Sequence, residues 1–461
     1  MDRRPAAVLV ASGGGTLLAM FVFTAPLSIV PSVARGLGAG AIATSWILSS
    51  MSLGLAVALL PAGAIGDDFG RRRVFAAGGG VLAAGSLLCA VAPGPLTFIA
   101  GRVVEGLGAA ALVACGLGVL GHAFPDPAGR ARATGVWGAC LGAGIAIGPV
   151  AGAVLDTAAG WRTLYVVATV LSLGVAGLGR VLLEESVSGR ARKVDVTGSL
   201  LLGGGLAALL AALTEGRQGW TSPLELGLIA AAVVLLAAFF THQGRTEGGM
   251  LDLTLFRRPA LVAATIGGFT AGAGVTALMS FLCTMLENGL AFTPVTASLV
   301  VLAWSAASVL SALLTRRLPA AFSGGARMSA GLLVVAAGLV PLAFVTPGSG
   351  AGLLVGGLLP AGIGTGVVNA SLGREAVASV PPNRAGMGSG INNTSRYVGA
   401  ALGVTVVTVL AVHPSATPAA GLVAGWNVAV LVGIGLSVAG AAVIAALSAA
   451  AKRDVVHTIG S

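Results

Sequence analysis

From Val423 to Ala449 the chain runs 27 residues without a charged side chain, and from Val8 to Val30 it runs 23. Val81 to Pro93 and Leu96 to Leu120 repeat the pattern, the second interrupted only by Arg102 and Glu105. An α-helix needs ~20 apolar residues to cross hydrocarbon, so the pattern predicts an all-α polytopic membrane protein. Only 9% of residues are charged against 56% hydrophobic, where a soluble domain carries roughly a quarter charged.

A net charge of +10 would suit nucleic acid only if the cations shared one soluble face with stacking aromatics. They lie instead in short stretches between apolar runs, so no nucleic-acid partner is expected and the lipid bilayer is. Cys89, Cys115, Cys140 and Cys283 all fall inside apolar runs without CxxC spacing, which predicts no metal or redox site. Arg3 and Arg4 precede an apolar segment too long for a signal-peptide core, with no A-x-A site; it is taken as the first span.

Polar and turn-rich breaks divide the chain into fourteen spans: 8–30, 42–62, 74–93, 95–120, 132–155, 163–183, 197–213, 224–241, 260–285, 294–314, 328–346, 351–372, 386–411 and 424–449. With fourteen spans, 21 of the 26 cations share one side with both termini, from Arg71–Arg73 to Arg316, Arg317 and Arg384. The other side keeps Arg35, Arg162 and Arg217, and Arg102 and Arg396 stay inside spans. Because positive loops are retained in the cytoplasm, this separation predicts a cell-membrane protein with cytoplasmic termini.

Most of the 72 glycines lie within spans, where small residues let membrane helices pack closely. A GC-rich genome would produce the same glycine and alanine content. Gly142, Gly144, Gly148 and Gly152 leave one side of the fifth span nearly featureless, a face that can rock against a neighbour. Gly66 to Arg73 faintly resembles Thr315 to Arg327, which suggests six spans, two inserted spans and six more, as in transporters built from repeats.

Three motifs make the pattern specific. Gly63-Ala-Ile-Gly-Asp67-Asp-Phe-Gly70-Arg71-Arg72-Arg73 resembles the loop signature of the major facilitator superfamily, in which an Asp and an Arg cluster form a cytoplasmic latch. Asp67, Gly70, Arg71 and Arg72 match; Asp68 stands where a basic residue is commoner. Ala100-Gly-Arg102-Val-Val-Glu105-Gly106-Leu-Gly108-Ala-Ala110 in span four resembles that family's motif with a buried arginine. Gly144-Ile-Ala-Ile-Gly148-Pro149-Val-Ala-Gly152 in span five is similar to its antiporter motif, where a proline frees a carbonyl that neighbours must cover.

Asp195-Val-Thr-Gly198, Leu213-Thr-Glu-Gly-Arg217-Gln-Gly-Trp220, Leu251-Asp252-Leu-Thr-Leu-Phe256-Arg257 and Arg384-Ala-Gly386-Met-Gly-Ser-Gly390-Ile-Asn392-Asn393-Thr-Ser-Arg396 resemble the fourteen-helix drug:proton antiporter branch (EmrB/QacA type). The resemblance spans residues 8 to 450. It implies a six-helix bundle at 8–183, a linker with inserted helices seven and eight at 184–259, and a second bundle at 260–450. It also implies proton-driven efflux of small, often amphipathic molecules by a monomer without cofactor or metal.

The branch usually carries an acid in span one, two positions before the Thr matched by Thr24; here Val22 stands there. An ionised group at mid-membrane costs at least ~2.5–3.5 kcal/mol, so intramembrane acids are functional candidates. Glu105 is the deeply placed one, three residues after Arg102 on one helical face. Glu287 near the end of span nine is a second. Glu105 either loads and releases the proton while Arg102 tunes it, or forms a static ion pair.

Arg396 either binds backbone carbonyls or faces an anionic substrate. Thr24, Ser28, Ser49, Ser50, Asn369, Asn392 and Asn393 either line a central cavity or join helices. Trp46 and Trp137 either stack on substrate or anchor at the interface. An enzyme is not expected: His122, His242, His413 and His457 lie in loops or tails, with no HExxH, GxSxG or Walker A pattern. The competing transport reading is a metabolite facilitator or importer without proton coupling, which Val22 favours.

Overall fold

The computed structural model describes residues 3–124, 126–185, 195–215, 222–246, 251, 253–315, 323–380, 385–411 and 417–459. Every regular element among them is helical, and the chain forms two compact units, Met1–Leu251 and Asp252–Ser461.

The first unit contains α1 (Arg3–Thr24), a 3₁₀ turn (Ala25–Ser28), the short α2 (Val30–Leu37), α3 (Ala41–Phe69), α4 (Arg71–Ala90), α5 (Pro95–Ala123), α6 (Pro127–Ala159), α7 (Arg162–Leu182), α8 (Val196–Glu215) and α9 (Pro223–Arg245). The second contains α10 (Pro259–Thr270), a π segment (Ala271–Thr276), α11 (Ala277–Leu290), α12 (Pro294–Leu314), α13 (Gly324–Leu339) with a 3₁₀ turn (Val340–Phe344), α14 (Ala351–Ala378), α15 (Ala385–Leu410) and α16 (Pro418–Ile459).

The ends of these helices follow from local chemistry. α5, α6, α9, α10, α12 and α16 each begin on a proline, whose missing N–H is one a first turn leaves unpaired anyway. Asp126, Ser222, Thr293 and Ser323 accept an N–H in the following turn, as N-caps do. The turn into α4 passes through Gly70 at φ 107°, a conformation that side chains with a Cβ resist.

Thirteen helical segments among the described residues are long and apolar enough to cross a membrane. Span 386–411 appears as α15, 26 residues long, but Asn392, Asn393 and Arg396 lower its apolarity below that of the others. Span nine forms as α10, the π segment and α11 in one run, Pro259–Leu290. α8 and α9 pack within the first unit: a Cβ on Gly203 of α8 would lie 2.9 Å from Val57 of α3.

The buried interiors are built of small and branched residues; in the second unit Met328, Leu332, Val368, Leu372 and Ile444 form one cluster. Outward faces are equally apolar, with Val170, Leu173, Val181, Val233 and Val234 all exposed. Such surfaces associate in water and suit hydrocarbon.

Candidate functional site

Pro26 has no N–H, so the carbonyl of Val22, four residues earlier, loses its helical donor. Arg102 of α5 replaces it: Nη1 donates to the Val22 carbonyl at 3.0 Å and Nη2 to that of Phe23 at 3.4 Å. Nη1 also meets Glu105 Oε2 at 2.7 Å, and Ser86 of α4 donates its hydroxyl to Oε1 at 2.7 Å. Arg102 is 1% exposed and Glu105 0%.

The site thus ties α1, α4 and α5 together. α4 and α5 come close enough for it because Gly85 and Gly101 face each other; a Cβ on Gly85 would lie 2.6 Å from the Glu105 amide nitrogen. Burying two charges costs several kcal/mol each, offset only by tight pairing and further hydrogen bonds. Glu105 has both. Among the described residues, Arg102 Nε and the Tyr165 hydroxyl, also deeply buried, have no hydrogen-bond partner.

A second proline-freed carbonyl lies beside the first. Pro149 in α6 leaves Ile145 without its donor, and the Thr24 hydroxyl lies 3.4 Å from that carbonyl oxygen while bonding Met20 at 2.9 Å. Ser28 donates to the Pro149 carbonyl at 2.7 Å. Gly144, Gly148 and Gly152 press α6 against α1: a Cβ on them would strike the Leu17 carbonyl, the Thr24 hydroxyl and the Ala25 carbonyl respectively. The hydroxyls of Thr24 and Ser28 are therefore committed to the α1–α6 contact. The broken end of α1 is consequently held by α5 through Arg102 and by α6 through these two groups.

At the far end of α3, Arg71 donates to the Gly118 carbonyl of α5 at 2.8 Å. Glu185, just past α7, accepts the Arg72 backbone N–H at 3.1 Å and lies within 3.7 Å of the Arg72 guanidinium and 3.5 Å of that of Arg73. A carboxylate there caps the start of α4 and meets its positive dipole end. The latch side chain expected from the sequence, Asp67, falls outside the described residues; a Cβ on Gly63 would lie 3.9 Å from that of Ala114, an ordinary contact distance.

The remaining sequence candidates are dispersed. Trp46 donates its indole N–H to Glu215 at 3.2 Å. Ser49 bonds the Ser45 carbonyl within its own helix. Among the described residues, the buried Ser50 hydroxyl, Asn392 Oδ1 and the Trp137 indole N–H have no hydrogen-bond partner. Asn369 is half-buried in α14 and Glu287 half-buried near the end of α11. Arg396 meets the Asn393 side-chain oxygen at 3.0 Å and the Tyr397 hydroxyl at 3.4 Å; its guanidinium stands 5.1 Å from the Tyr397 ring centre.

The profile of the Major Facilitator Superfamily matches residues 13–404. The chain belongs to the major facilitator superfamily. It is accordingly a multi-pass membrane transporter rather than an enzyme. Among superfamily relatives, it is 33% identical over 420 residues to "Multidrug resistance protein Stp" of Mycobacterium tuberculosis, covering 90% of this chain and 78% of the relative. It is 33% identical to "Puromycin resistance protein pur8" of Streptomyces alboniger, covering 88% and 84%. It is 32% identical to the "Probable actinorhodin transporter" of Streptomyces coelicolor, covering 82% and 68%. The fold matches the human organic anion transporter MFSD10 (TETRAN) with TM-score 0.65 at 18% identity, covering 95% of this chain and all of that one.

Two acids of this superfamily member were not singled out from sequence, Glu185 and Glu215. Each lies at a helix end in a polar stretch, and only the fold brings it to an arginine pair or an indole.

Proposed function

We propose that the chain expels small amphipathic molecules such as antibiotics or secondary metabolites by alternating access, in exchange for protons. The observation that carries the coupling is Glu105: a fully buried carboxylate that Ser86 of α4 binds on one side and that pairs on the other with Arg102, the residue of α5 that holds the broken end of α1. A proton on Glu105 removes the ion pair, frees Arg102 to strengthen its hold on Val22 and Phe23, and changes how α1 meets α5. The names of the relatives, of which one prints multidrug resistance, one puromycin resistance and one actinorhodin transport, support efflux as the direction.

In this reading the chain follows the fourteen-helix plan, with bundles at 8–183 and 260–450, inserted helices within 184–259 and cytoplasmic termini, and works as a monomer. The arginine turn with Glu185 is the cytoplasmic latch, and the Gly144–Gly152 stripe is the surface on which α6 shifts against α1. Glu287 is a secondary proton site. Ser50 and Trp137 in the first unit, and Asn369, Asn392, Asn393 and Arg396 in the second, are the candidate substrate-contacting groups.

Proton-independent facilitation is the second reading, favoured by Val22 at the usual place of the span-one acid. Dissipating an imposed pH gradient in vesicles separates the two. Antiport loses its uphill flux, whereas facilitation continues down the substrate gradient unchanged.

A further inference from the structure

Within the first unit a cavity of about 750 Å³ opens between the starts of α3 and α5 and the end of α8. Ile42, Pro95, Leu96 and Ile99 supply apolar walls, with Trp46 and Glu215 as the polar pair. The volume lies in the ~300–1,000 Å³ range of drug-sized sites. α3 is 29 residues long, so the cavity stands roughly 40 Å from the arginine turn at its other end. It shares no residue with the Arg102–Glu105 site.

The chemistry of the lining is selective. The Trp46 indole N–H donates to Glu215 Oε1 at 3.2 Å, which fixes a carboxylate at the edge of an aromatic face. A carboxylate accepts several donors at once, so this contact leaves it able to take another. Aromatic faces attract cations, tryptophan most strongly, and Leu96, 81% exposed, adds apolar surface at the rim. An anion would be repelled by Glu215, and a neutral molecule without a hydrogen-bond donor would gain nothing from it.

We propose that this cavity is a binding site for monovalent organic cations with an apolar body, held by Glu215 and Trp46. As a station on the transport route it rests on the efflux reading; as a binding site it does not. Its place opposite the arginine turn makes it, in that reading, an outer-face site distinct from the proton site.

Binding of tetraphenylphosphonium and of the neutral triphenylphosphine oxide to the full chain in nanodiscs, without any gradient, tests this. Glu215→Gln should weaken the cation about tenfold, the scale of one carboxylate–cation attraction near a protein surface, and leave the oxide within about twofold. Glu215→Asp should keep most of the affinity, and Trp46→Leu should weaken the cation severalfold. The cation should also slow thiol modification of a Leu96→Cys variant, and should fail to do so when Glu215→Gln is added. Unchanged cation affinity in Glu215→Gln, equal loss for both ligands, or no protection at Leu96→Cys overturns the site. The same holds if the cation binds only in nanodiscs containing amine-headgroup lipid. Glu215-dependent binding by a chain that pumps nothing would sink the efflux reading and leave this site standing.

Discussion

Arg102 and Glu105 pair at 2.7 Å with neither side chain open to solvent, and the arginine nitrogen in that pair also caps the Val22 carbonyl. One guanidinium therefore serves both a titratable acid and a proline-broken helix end. Any change at the acid is felt at α1 without an intermediary.

Removing one partner should cost much more than removing both. Arg102→Met leaves Glu105 buried and unpaired and should lower stability by ~3–5 kcal/mol, whereas Arg102→Met with Glu105→Leu should recover a large part of that loss. Thermal unfolding in detergent measures both. The double variant stays inactive if the pair has a transport role.

At the α1–α6 contact, Ser28→Ala removes one hydrogen bond to the Pro149 carbonyl and should cost ~0.5–1.5 kcal/mol. Gly148→Val should act on transport far more strongly, because its side chain occupies the place of the Thr24 hydroxyl. Export assays on variants that remain monodisperse in detergent distinguish lost movement from lost folding.

The helical architecture was legible because hydrocarbon imposes one requirement, apolar length, that any long uncharged run displays. Arg102 and Glu105 were legible for the same reason reversed, since a charge inside such a run stands out. Thr24 and Ser28 were read only as cavity or contact groups, because choosing between them requires knowing that Pro149 and the α6 glycines face α1. Glu185 and Glu215 were missed because acids at helix ends are ordinary until a partner distant in sequence meets them.

Glu185 should contribute little to global stability. A double-mutant cycle between Arg72→Ala and Glu185→Ala should give a coupling below ~1 kcal/mol, as exposed pairs do, and the coupling should shrink as salt is raised. A much larger coupling would make the turn part of the folding core rather than a latch.

Asp195 begins α8 and joins it to α9, accepting from the Gly198 amide at 2.7 Å and Gln243 at 2.6 Å and meeting His242 at 2.8 Å. Burial pushes its carboxyl up, but the Gly198 amide, His242 and Gln243 outweigh it and hold it below the ordinary value. A depressed carboxyl stabilises the folded state above the unfolded value of ~3.9 and loses that contribution as pH falls through the folded one. Asp195→Asn should therefore lower the unfolding temperature at pH 7, and the gap from the unaltered chain should narrow below about pH 4.

The central claim is that Glu105 carries the proton that drives export. Proteoliposomes holding a pH-sensitive dye measure it: tetraphenylphosphonium added outside should drive protons out of vesicles that carry the unaltered chain. In Glu105→Gln, correctly folded by its unfolding curve, that release should disappear while downhill substrate exchange persists. Undiminished substrate-driven proton release from Glu105→Gln would contradict it.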